Sequence, residues 1–159
     1  MATIIRLFAA VDAAQWFEVH HSAVRETAAK DYSKSVIEAW APSVEPAMIQ
    51  YLIADHSGTK IVAEVDGEVV GIGEVALTNC ELRACYVAPR FGRRGIGRAL
   101  VAELETIARN GKIAALVLSS SLTAERFYRH LGYRVTAHGQ HVLRNGEPMA
   151  CVYMTKLLE

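Results

Sequence analysis

The chain carries no net charge, because its 17 Lys and Arg are matched by 17 Asp and Glu over 159 residues. Charge is sparse as well, at 21% of residues against 52% apolar, whereas disordered chains need the reverse balance. Cysteine is scarce. Cys80, Cys85 and Cys151 cannot all pair, and none has the C-x-x-C spacing or neighbouring histidine of a zinc site. They fit small buried side chains in a reducing cytosol, so a cytoplasmic location is expected. No apolar run reaches the 18 residues that a membrane span needs. The opening MATIIRLFAA lacks the basic leader and long apolar stretch of a secretory signal. No internal repeat or low-complexity segment is visible, and collagen-like and disulfide-scaffold classes are excluded with them.

The length fits one domain, residues 1–159, large enough to bury about 70% of its unfolded surface without a disulfide or metal staple. The zero charge divides unevenly along it. Through Glu81 there are five Lys and Arg against twelve Asp and Glu; beyond it, twelve against five. Such asymmetry points to an anionic partner only if the basic residues gather beside an anion-binding backbone.

Periodicity gives the order β-ααα-βββ-α-β-α-ββ, an α/β (α+β) mixed sheet with helices on its faces. Thr3 to Ala9 is the first strand, and Asp12 caps a helix from Ala13 to about Thr27. Ser33 caps a second helix ending near Trp40. Glu45-Pro46 starts a third, which runs to about Ala54. Asp66-Gly67 joins the strands Lys60–Val65 and Glu68–Leu77 as a hairpin. Glu81 to Val87 is a strand closed by Pro89, and Gly95 to Arg109 is a helix. Ile113 to Ser119 is continuously apolar and is expected to be buried on both faces. A helix over Leu122–His130 and strands over Tyr133–Leu143 and Met149–Leu157 complete the chain.

The densest unusual stretch is PRFGRRGIGR, residues 89–98, between a strand and a helix. Its three glycines allow close backbone approach, and the free amides of a helix's first turn point into the same space. With four arginines alongside, this is a phosphate-type anion site. It is not a Walker loop, since no Gly-Lys-Ser/Thr occurs. Nor is it a dinucleotide fingerprint, since Leu100 stands where the third glycine belongs.

LRACYVAPRFGRRGIGRAL, residues 82–100, closely resembles the coenzyme A-binding motif of the GNAT (Gcn5-related) N-acetyltransferases. IIRLFAAVDAAQW resembles the family's first strand and helix, VDGEVVGIGEVAL its central hairpin, SLTAERFYRHLGY its late Phe-Tyr segment, and VYMTKLL its last strand. YSKSVIEAWAP is further similar to a bacterial subgroup. The resemblance implies a GNAT-like fold whose sheet splays where acetyl-CoA binds. It implies that Tyr86 and Val87 border the cofactor, with the Val87 amide on the acetyl carbonyl. Arg93, Arg94, Gly95, Ile96, Gly97 and Arg98 would hold the pyrophosphate, with Ser121 on the pantetheine. Two positions depart from the family pattern: Gly92 replaces a usual Gln or Arg, and Ser121 a frequent Asn.

Acetyl transfer to an amine needs proton management, because an alkylamine with a pKa of about 10.4 is mostly protonated. Tyr128 matches the family's usual acid; otherwise it only packs against the cofactor. Glu81 stands six residues before Val87. The two share a face by strand alternation unless a bulge intervenes, so Glu81 is either the base or a solvent-facing strand-end residue. Glu74 is a weaker alternative. His20 and His21 point about 100° apart, so only one can face a site. His21, Tyr32 and Trp40 are the candidate acceptor contacts, whereas His130, His138 and His141 are expected at the surface. No metal site is expected. Cys85 has no paired histidine to support a covalent route. The expected activity is a direct ternary-complex transfer to a primary amine of a small molecule or peptide. The alternatives are a non-catalytic acyl-CoA-binding module and, with few interleaved aromatics to support it, a nucleic-acid binder. The partners expected are the amine alone, with no nucleic acid or membrane, in a monomer or homodimer. The acidic half of the chain, expected to face the acceptor, suggests an acidic rim attracting a cationic amine.

Overall fold

In the computed structural model, which describes residues 2–159, seven strands form one sheet in the order β1-β2-β3-β4-β5-β7-β6. The strands are β1 (Thr3–Leu7), β2 (Thr59–Val65), β3 (Glu68–Ala76), β4 (Glu81–Val87), β5 (Ala115–Ser121), β6 (Arg134–Val142) and β7 (Pro148–Leu157). The helices are α1 (Ala13–Ser22), α2 (Lys34–Trp40), α3 (Pro46–Ala54), α4 (Ile96–Asn110) and α5 (Glu125–His130). Every neighbouring pair is antiparallel except β4 and β5. This is the mixed sheet and element order that the periodicity predicts. No described helix is long and apolar enough to cross a membrane.

Local chemistry explains the element ends. Asp66 and Gly67 both take positive φ, at 50° and 81°, as a tight hairpin turn requires. The Ser33 hydroxyl accepts from the Val36 amide at the start of α2. Pro46 opens α3 after Glu45. The helix expected to run to Thr27 does so in two parts: α1 ends at Ser22, and Ala23–Thr27 widens into a π-helical turn. Such turns concentrate at functional sites.

One face of the sheet is closed by α4. Its Ile96, Leu100, Val101, Leu104 and Ala108 are buried against Ile61, Val75, Leu82, Leu116 and Met154. Glu105 on the same face is buried but matched. It accepts from the Tyr133 hydroxyl at 2.9 Å and from Lys156 at 2.9 and 3.0 Å. On the other face, α1 packs Trp16 and Val19 over Val62, Val69 and Ile72. β5 departs from its expected burial on both faces. Leu116, Leu118 and Ser120 are buried, but Val117 is 46% exposed and Ser119 is exposed. The α4 face covers only alternate residues, so a strand apolar throughout still has one open side.

At the start of α1, the buried carboxylate of Asp12 accepts two hydrogen bonds from Arg6 at 2.8 Å and one from the Ala9 amide at 2.7 Å. The Arg6 guanidinium holds the Asp12 carboxyl below the usual carboxylate range. A depressed folded-state pKa stabilises the fold above the unfolded value of about 4, and that contribution is lost as pH falls through it. Asp12→Asn should cost about 1–2 kcal/mol at neutral pH, with Arg6 solvent-screened. Its stability deficit against the parent should shrink below about pH 4 in urea titrations.

Candidate functional site

The sheet is continuous except between β4 and β5. These strands meet at a single register pair, Glu81 with Val117, supported by a hydrogen bond from the Val117 amide to the Cys80 carbonyl. Beyond that pair they diverge. The gap has a bulge at its root, because Val75 pairs with Leu82 and Glu74 with Ala84, leaving Arg83 as the extra residue. Past the bulge the faces exchange. Leu82, Cys85 and Val87 all pack on the α4 side, whereas Tyr86 packs with the α1 side. The bulge for which the spacing left room thus intervenes, and Glu81 lies on the opposite face from Val87. Its carboxylate takes an ion pair with Arg83 at 3.4 Å and lines none of the cavities described below.

Two cavities open at this gap, and a third lies beside them. The largest, about 470 Å³, runs between β4 and α5 under the π-helical turn, and Val87, Gly92, Arg93, Gly97, Ser121 and Phe127 line it. A smaller one, about 110 Å³, is bordered by Cys85, Tyr86, Ser121, Tyr128, His141 and Cys151. The third, about 380 Å³, lies between α1 and the β6–β7 hairpin. Trp40 lines all three. The Ala88 amide bonds the Val70 carbonyl on β3. By strand alternation the Val87 amide then points the other way, into the gap.

The loop before α4 is shaped as an anion cradle. Arg93 and Gly95 take positive φ, at 60° and 79°, and no side chain caps the first turn of α4. The amides at Ile96, Gly97 and Arg98 are thus available at the positive end of a helix of 15 residues. A Cβ on Gly97 would stand 3.1 Å from the Phe127 ring, so this position is bare because the wall opposite is close. Arg90 and Arg94 lie over the Phe91 ring at 5.1 and 5.0 Å. Among the described residues, Arg93, Arg94 and Arg98 pair with no carboxylate. Arg90 pairs with Glu68, and Arg83 pairs with Glu74 and Glu81 at the far end of β4.

Tyr128 is buried in the wall of the 110 Å³ cavity, stacked edge-on against Phe127 and Tyr133 at 5.1 and 5.7 Å. Burial holds its phenol well above the ordinary tyrosine value, so it keeps its proton. Burial also pushes the Cys85 thiol up to about 12, so it is no thiolate at neutral pH.

The remaining candidates separate. His21 lines the third cavity, but its Nδ1 lies 2.9 Å from the Phe17 carbonyl and its Nε2 lies against the Pro42 carbonyl. It therefore braces α1 against the loop after α2. The Tyr32 hydroxyl donates to the Ala150 carbonyl at 2.6 Å and accepts from the Leu122 amide at 2.8 Å, and it lines none of the three cavities. It holds β7 and the end of β5 together and backs Trp40 at 5.7 Å. Glu74 is bound to Lys60 and Arg83. His20 stands 4.8 Å from the Tyr86 ring, and burial lowers its pKa to about 4, so the imidazole is neutral. His141, expected at the surface, does lie exposed there, but its ring lines two of the cavities. Only the pairing of His141 with Met149 across the β6–β7 hairpin brings it to the site, and no local motif signals that register.

A family model described as an acetyltransferase (GNAT) domain matches residues 28–158. Among solved structures, the chain is similar to a GCN5-related N-acetyltransferase from Rhodopseudomonas palustris. The two are 25% identical with a TM-score of 0.90, covering 99% of this chain and 97% of that one. It is also similar in fold to the PaiA N-acetyltransferase of Thermoplasma acidophilum in complex with coenzyme A, at 23% identity and a TM-score of 0.77 over 99% of both chains. YncA, a putative acetyltransferase from Salmonella typhimurium with acetyl-CoA, gives 22% identity and a TM-score of 0.73, covering 100% of this chain and 95% of that one. No curated protein matches the chain.

Proposed function

Because the chain belongs to the GNAT acetyltransferase family, we propose that it transfers an acetyl group from acetyl-CoA directly to a primary amine of a small molecule or peptide. The observation that carries this reading is the gap between β4 and β5, with an uncapped α4 N-terminus at one end and a buried, protonated Tyr128 at the other.

The residues present fit the cofactor. The amides from Arg93 to Arg98 and the unpaired Arg93, Arg94 and Arg98 suit its pyrophosphate, and bare Gly97 leaves room beside Phe127. Ser121 lines the cavity beneath; its hydroxyl accepts from the Ala124 amide at 3.1 Å and keeps its own O–H to donate to the pantetheine arm. Bound there, acetyl-CoA supplies an activated thioester whose C–S bond is exchanged for a C–N bond, with release of the thiol. The chain's own residues do the rest. The Val87 amide donates toward a carbonyl oxygen that gains charge. Tyr128 holds a phenolic proton for the departing sulfur. The amine's proton passes to His141, the imidazole that borders both the 110 Å³ cavity and the cavity between α1 and the β6–β7 hairpin. Glu81, on the other face and paired with Arg83, contributes charge rather than contact. The protonated Cys85 thiol favours direct transfer over an acyl-cysteine route.

Calorimetry tests the cofactor, with acetyl-CoA expected to bind in the micromolar range and to be indifferent to added DNA or RNA. No heat on titration would remove the reading. Thiol release from acetyl-CoA across a panel of small amines and peptides tests the transfer, and binding without turnover on any of them would leave only an acyl-CoA-binding module.

A further inference from the structure

The half of the chain expected to offer the acceptor an acidic rim does wall the third cavity, but not with its carboxylates. Several are ion-paired elsewhere, Asp12 and Glu64 with Arg6, Asp55 and Glu74 with Lys60, and Glu68 with Arg90, and the others do not line it. What α1, α2 and α3 bring to the cavity is Phe17, His20, Trp40 and Met48. The β6–β7 hairpin closes it with Leu143 and Arg144. No Asp or Glu lines this cavity or the 110 Å³ cavity that it reaches past Trp40 and His141. Among the described residues the Arg144 guanidinium pairs with no carboxylate. Arg144 lines the cavity from a short turn, in which the Gly146 amide bonds the Leu143 carbonyl and the Leu143 amide bonds the Glu147 carbonyl. The neutral His20 ring stacks edge-on with Tyr86 and Trp40, at 4.8 and 6.4 Å, so the inner wall is aromatic and uncharged.

A polyamine would bring several positive charges into a site with no carboxylate and a guanidinium in its lining, an arrangement that penalises it. An aromatic ring carrying one carboxylate meets an aromatic wall and a forked cation. We infer that the acceptor is a primary arylalkylamine bearing a carboxylate, its ring between Phe17 and Trp40, its carboxylate on Arg144, and its amine directed past His141 toward the gap. This rests on the acetyl-transfer reading above and narrows its substrate class.

Matched pairs test it: 4-(2-aminoethyl)benzoate against phenethylamine, 4-(aminomethyl)benzoate against benzylamine, and spermidine apart. In at least one pair the acid should exceed its partner without the carboxylate by about tenfold or more in kcat/KM, as a charge-assisted contact implies. Spermidine should be the poorest substrate. Arg144→Gln should remove the advantage of the acid, and Arg144→Lys should restore part of it. Amines without the carboxylate, or spermidine, used equally well would overturn the inference and leave acetyl transfer standing, as would an acid preference that survives Arg144→Gln. The same amines titrated into the protein–coenzyme A complex give the ranking without turnover. Failure of both acids to bind that complex also overturns it, whereas failure of acetyl-CoA to bind strikes the underlying reading.

Discussion

Tyr128→Phe should lower kcat by about 10²- to 10⁴-fold, the range for loss of a positioned proton donor, while the acetyl-CoA Kd stays within about threefold of the parent. The substitution removes one oxygen and keeps the ring, so the edge-on contacts with Phe127 and Tyr133 survive. The split between kcat and Kd separates a proton donor from a tyrosine that only packs, since a packing role would weaken binding and chemistry together. Burial already keeps the phenol protonated. The activity of the parent should therefore show no loss on the alkaline side near pH 10 from this group. Stopped-time thiol release across pH checks both points, and a fully active Phe variant would rule out the acid role.

The second large effect is on the cofactor. Gly97→Val should weaken acetyl-CoA by at least about a hundredfold in calorimetry, because the new side chain meets the Phe127 ring from a Cβ already only 3.1 Å away and fills the space beside the α4 amides. The ring must yield or the loop must open, and either displaces the cradle. The fold should persist, since Gly97 faces the cavity and not the Leu100–Leu104 core. A melting temperature within a few degrees of the parent, together with an unchanged Kd, would count against the cradle assignment.

The features legible from sequence were those encoded by neighbouring residues. The Asp66-Gly67 turn, the Ser33 cap and the glycine-rich loop before α4 each work through local geometry. The features that were not legible depend on register. One unpaired residue, Arg83, exchanges the faces of β4 and moves Glu81 away from Val87. Which side of β5 lacks cover is decided by where α4 lies, not by the apolar composition of the strand. The His141 position follows from hairpin pairing with Met149, and the cavity between α1 and that hairpin lacks a carboxylate although most of the chain's acids lie in the half that walls it. Tyr32 has the right chemistry for a ligand contact, but partners 90 and 118 residues away occupy its hydroxyl.

The single register pair between β4 and β5 also bears on the lifetime of the protein. Two half-sheets that share so short a seam leave a row of backbone groups without a ladder partner, so the empty protein is an unfinished assembly. A ligand seated there serves as mortar as well as reagent. By mass action it adds about 2.7 kcal/mol of stability at a hundred times its Kd. Scarcity of the acetyl donor would then slow the reaction and also loosen the protein, tying its abundance to the supply of its own reagent.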